Sequence, residues 1–141
     1  MRVHIGPYRE GGKKRKIKVK IDPYDVWSLD YTLAIIIHPA LKALKKAKAG
    51  TPWTDVADAP HIPDKPDQQK EMAGFRRKRW KWILNEMIFA FKCDLDDWDL
   101  EIYEKAGNSW TPEALEERRK ISDRIANGHR LFAKYYNNLW T

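Results

Sequence analysis

The side chains of this 141-residue chain that could act on a bond are few and scattered. His4, His38, His61 and His129 lie far apart, and none stands at a spacing that pairs a nucleophile with a base. Neither H-E-x-x-H nor G-x-S-x-G occurs. Asp94-Leu95-Asp96-Asp97-Trp98-Asp99 opens like a calcium loop. It has Asp99 where the turn needs glycine, however, and Lys105 where the last ligand should be an acid. Glu10-Gly11-Gly12-Lys13-Lys14 has glycines and lysines, but neither the phosphate-loop spacing nor a Ser or Thr after the lysine. His38, beside Pro39, reads as a core histidine with no acid or thiol near it in sequence. The chain therefore reads as a binder rather than an enzyme, with no catalytic residue, metal ligand set or cofactor.

What remains is a mixture of aromatic and basic residues. Seven Trp and six Tyr are many for this length, and several adjoin cations, as in Arg79-Trp80-Lys81-Trp82 and in His129-Arg130 ahead of Tyr135-Tyr136. Aromatic faces stack on bases while Arg and Lys hold phosphates. The candidate ligand-binding set is Lys16, Lys18, Lys20, Arg79 and Arg130 for phosphate, with Trp80, Trp82 or Tyr135 for a base. Aromatics at i, i+3 and i+4 also build cores, and most of these tryptophans have that as their first reading.

Charge is placed unevenly. Of 27 basic and 20 acidic side chains, eight bases and one acid fall in residues 1–20, so the net +7 sits there and the rest of the chain is neutral. Such a basic module on a neutral body suggests a polyanionic partner, a nucleotide or nucleic acid. The plainer alternatives are a solubilising segment, or a surface that meets the acidic block Asp94 to Glu104 of a second copy.

The elements that must position these groups follow from periodicity. Ile17, Val19 and Ile21 alternate with Lys16, Lys18 and Lys20, which predicts a basic β-hairpin within residues 1–22, with arms at 2–8 and 15–22. One face of it should pack on the body and the other present three lysines, with Gly11-Gly12 in the turn. Asp22-Pro23 caps a helix over 23–49, kinked near Pro39, along which Trp27, Leu33, Ile36, Ile37, Ala40, Leu41 and Leu44 share a stripe. A proline-rich loop, 50–66, follows, with Trp53 as its expected anchor. A helix over 67–93 carries a stripe in which Glu86, if buried, needs an arginine. Residues 94–110 form an acidic short helix and loop, and Thr111-Pro112-Glu113 starts a helix over 112–140. Its seam, Ile121, Ile125, Gly128, Phe132, Tyr135 and Leu139, wants a partner helix within the chain or across a homodimer, with close approach at Gly128. The fold class is α+β, mainly α: a hairpin packed on three to four helices.

No unbroken apolar run exceeds five residues, as in Leu33–Ile37, and Met1-Arg2-Val3-His4 opens no signal core. A lone cysteine, Cys93, leaves no internal disulfide. An intracellular protein with no membrane partner is expected.

Val3-His4-Ile5-Gly6-Pro7-Tyr8, Trp27 to Ala34 with His38-Pro39, Arg79 to Phe91, and Asn127 to Trp140 together resemble a group of small proteins from contractile-tailed bacteriophages. That resemblance implies a phage accessory protein in the cytoplasm of an infected bacterium, and carries over no catalytic residue. The expected function is non-enzymatic binding of a phosphorylated ligand, such as sequestration of a host defence nucleotide signal. DNA or RNA binding through the basic hairpin is the alternative.

Overall fold

The computed structural model describes residues 1–8, 10–47, 50–63 and 69–140, with the side chains of 69–72 left aside. It is mainly helical, with a two-stranded hairpin packed on the helices at the N-terminus, as the periodicity predicts. Strands β1 (Arg2–Ile5) and β2 (Ile17–Lys20) pair antiparallel, with Arg2 opposite Lys20, Val3 opposite Val19, His4 opposite Lys18 and Ile5 opposite Ile17. Directly opposed residues share a face, so the sheet has a basic side and a purely apolar side. Gly11 and Gly12 take positive φ, 73° and 69°, in the connecting loop, a conformation that suits glycine.

The hairpin joins the body at its base, where the amino group of Met1 meets Asp25. Its apolar side stays open: Val3, Ile5, Ile17 and Val19 are all more than 40% exposed. The hairpin thus packs on the helices through its base, and the apolar side of the strands themselves is left exposed.

The first helix is in two pieces, α1 (Pro23–Trp27) and α2 (Leu29–Lys46). The Asp25 carboxylate accepts from the Asp22 amide at 3.1 Å, closing the cap predicted by Asp22-Pro23. Ser28, at φ −120° and ψ 65°, breaks what the sequence suggests is one helix. The Thr32 hydroxyl stabilises the break, donating to the carbonyls of Asp25 and Ser28. Pro39 lies on the exposed side of α2, and the helix runs on past it to Lys46. The expected end of this helix, at 49, lies outside the described residues.

Helix α3 (Gln69–Cys93) packs on α2 and, more extensively, on α5 (Pro112–Lys134), with the short α4 (Leu100–Lys105) between them in sequence. Thr111 caps α5 by accepting from the Ala114 amide at 3.2 Å. Ala34, Leu41, Trp80, Ile83, Leu84, Met87, Phe91, Leu131 and Tyr135 form the core. The α5 seam is thus filled within the chain, by α3. At Gly128 the two helices approach closely: a Cβ there would stand 2.5 Å from both the Ala90 Cβ and the Glu86 carbonyl oxygen. Glu86 is buried and does hold an arginine, accepting two bonds of 2.9 and 2.8 Å from Arg124.

Candidate functional site

The eight candidate ligand residues fall in separate places. Lys16, Lys18 and Lys20 stay exposed on the hairpin. Lys18 and Lys20 line a shallow basin of about 420 Å³ with Arg2 and His4. Arg79 is 2% exposed and Trp80 7%, both inside the helical body. Trp82, half-buried, meets His61 edge-on with ring centroids 4.9 Å apart. Tyr135 is 2% exposed, packs edge-on against Trp80, and has its hydroxyl fully engaged. The structure therefore gathers neither the five cations nor the three aromatic rings of that set into one site.

Arg130 and Tyr135 instead hold the loop after α2. Asp58, buried in a 3-10 turn (Val56–Asp58), accepts from the Tyr135 hydroxyl at 2.6 Å and from Arg130 at 2.7 Å. Lys134 Nζ lies 2.7 Å from the same carboxylate and 3.2 Å from that of Asp55. The Asp55 amide donates to the Tyr135 hydroxyl at 2.9 Å. Burial alone would push the Asp58 carboxyl up, but hydrogen bonds from Lys134, Tyr135 and Arg130 outweigh it and hold the group at about 2. Burial, followed by the Asp58 bond, pushes the Tyr135 phenol up, so it remains a proton donor at neutral pH. Trp53, the expected anchor, is 67% exposed, and Asp55 and Asp58 secure this loop.

The acidic segment is also engaged internally. Asp94 lies 2.8 Å from His129, and Asp99 pairs with Arg118 at 2.9 Å. Arg118 in turn sits between the rings of Trp98 and Trp110. Among the described residues no three His, Cys, Asp or Glu side chains converge as a metal site would require.

A different cleft combines cations with an aromatic face. It measures about 660 Å³ and lies between the C-terminal end of α2, the first half of α3 and the last residues of the chain. Lys45 and Lys46 border it from α2, Arg77 and Lys81 from α3. Among the described residues that line it there is no acid. Trp80 with Leu44 and Leu84 supply apolar wall, and Trp140, 54% exposed, lies over Gly50 with ring carbons 3.5 and 3.9 Å from where a Cβ would stand. The benzo end of the indole is thereby seated, while about half the residue remains exposed.

Of the candidate set only Trp80 lies here. The other members were legible in part, because Arg77 and Lys81 are four residues apart and share a helix face. Arg79 and Trp82 are three apart and share another. Adjacency within the basic run drew Arg79 and Trp82 into the candidate set, whereas helical phase places Arg77 and Lys81 together on this cleft.

No protein-family model, curated protein or solved structure matches the chain. Among the described residues no helix is long and apolar enough to cross a membrane.

Proposed function

We propose that the chain is a non-enzymatic binder of phosphorylated aromatic ligands, nucleotides in the first place, and that the α2–α3 cleft receives them. The observation that carries this reading is the set of four cations, Lys45, Lys46, Arg77 and Lys81, around a half-open indole, with no acid among the described lining residues. Phosphate oxygens would take charge-assisted bonds from the cations, with Arg77 able to bind in a fork. The base would stack on Trp140. With the resemblance to small phage proteins, the biological reading is sequestration of a host defence nucleotide in the cytoplasm of an infected bacterium.

Thermal denaturation against a panel of linear and cyclic mono- and dinucleotides tests it. A ligand at about 100 times its Kd should add about 2.7 kcal/mol, a rise of several degrees in Tm. Arg77→Glu with Lys81→Glu should abolish that rise without moving the Tm of the free protein, since both side chains are exposed. A flat response to the whole panel would remove this function.

The hairpin supports a second reading. Arg2, His4, Lys18 and Lys20 share one face of the sheet, with Arg2 directly opposite Lys20. Like charges held opposite one another oppose pairing unless an anion lies over them. The nucleic-acid backbone is the anion that such a row of cations would suit.

A further inference from the structure

Among the described residues twenty-one large hydrophobic side chains are exposed, and fourteen of them lie between Val3 and Ile36. They include Tyr24 at 86% and Trp27 at 87% exposure. Val3 from β1, Tyr24 and Trp27 from α1, and Tyr31, Ile35 and Ile36 from α2 line one groove of about 780 Å³. Ile36 also borders a second apolar groove, which runs down α2 to Ala47. At typical side-chain areas these exposures sum to on the order of 1,500 Å², distributed over the hairpin, α1 and more than one side of α2. A stable interface takes about 800 Å² from each partner, about half of that total.

We infer that this face, made of the hairpin's apolar side, α1 and the first turns of α2, is where a second copy of the chain docks. Three features select a copy over other occupants. A two-stranded hairpin is marginal unless its apolar side is covered, and this chain's helices leave Val3, Ile5, Ile17 and Val19 open. The covering partner must therefore accompany every folded chain, and a copy of the chain is always present in equal amount. The patch is also self-complementary, since it carries projecting rings at Tyr24 and Trp27 beside a groove. A two-fold axis through such a patch seats each copy's rings in the other's groove. Charge argues against lipid. The cations of β2 lie on the opposite side of the sheet, and the groove carries Asp25 and Asp30, which an anionic membrane would repel. Packed face to face, two hairpins bury their apolar sides and turn both lysine rows outward.

Sedimentation equilibrium of the full chain tests this. A species of twice 16.7 kDa should persist down to about 1 μM. Trp27→Glu should weaken association by about 100-fold or more, as expected when a central aromatic anchor is lost. Ile17→Glu, on the hairpin, should do the same. Leu115→Glu, a half-exposed leucine on α5, should leave the dimer intact. Far-UV circular dichroism must show unchanged helicity, and Trp27 is exposed enough that its loss does not reach the core. A wild-type monomer at all concentrations would overturn the inference, and flotation of that monomer with phosphatidylserine vesicles would assign the face to lipid. A dimer indifferent to both Trp27→Glu and Ile17→Glu would place the interface elsewhere and overturn it equally.

Discussion

At the scale of single residues the strongest commitment in the molecule is Asp58. One carboxylate takes a phenol, a guanidinium and an ammonium from the end of α5, and so fixes a loop more than seventy residues away in sequence. Its folded pKa, about 2, lies below the ordinary 3.8. The group therefore stabilises the fold fully above the unfolded value, and that contribution disappears as pH falls from about 4 to about 2. For a carboxylate this well buried the shift corresponds to about 2 kcal/mol. Asp58→Asn should cost at least that much at pH 7, because Arg130 and Lys134 lose their buried counter-charge. In urea denaturation the gap between wild type and Asp58→Asn should be wide at pH 7 and narrow steadily below pH 4. An equal gap at both pH values would mean that the carboxylate's charge contributes nothing. This contact was not legible in sequence: Asp58 is one of several loop acids, and nothing local distinguishes it. Glu86 was legible, because a carboxylate inside an apolar helical stripe must find a cation, and Arg124 provides it.

At the scale of elements, the features readable in advance were those written into local geometry. The alternation in residues 17–21 marked the second arm of the hairpin, Asp22-Pro23 and Thr111-Pro112 marked two helix starts, and the seam from Ile121 to Leu139 marked the buried side of α5. The break at Ser28 was hidden because the side chains on either side keep helical spacing; a backbone joint leaves no mark on that pattern. The stripe along 27–44 misled for a related reason. Periodicity gives the faces of a helix but not how much of a face is covered: in α2 Ala34 and Leu41 are buried and Ile37 and Leu44 pack against the core, while Leu33 and Ile36 remain exposed. Gly128 tests the close contact of α3 and α5. In an isolated helix alanine would be better by ~1 kcal/mol. Here its methyl would meet the Glu86 carbonyl and the Ala90 side chain at 2.5 Å, and backbone cannot yield as a flexible side chain can. Gly128→Ala should therefore lower stability by about 1–3 kcal/mol, with α3 and α5 forced apart. Unchanged or raised stability in urea would show that the two helices separate at little cost.

At the scale of the whole molecule, the charge map separates two candidate binding regions. The net +7 belongs to residues 1–20, whereas the cleft draws its cations from a body that is neutral overall. Long-range attraction to a polyanion should come from the hairpin, while the cleft acts only on a ligand that has entered it. In a dimer joined through the apolar side of the hairpins, two lysine rows face outward and could engage one polynucleotide at two points. Binding of duplex DNA should then weaken linearly in log Kd against log salt, by about 0.9 for each phosphate neutralised. Lys18→Gln with Lys20→Gln should lower that slope by about 2 per chain and leave any nucleotide-induced rise in Tm intact. Arg77→Glu with Lys81→Glu should do the reverse. If the hairpin substitutions left the DNA slope untouched, the second reading would fall while the cleft remained a candidate. If each pair of substitutions removed both kinds of binding, the two regions would be a single site, and the division of charge between hairpin and body would have no functional meaning.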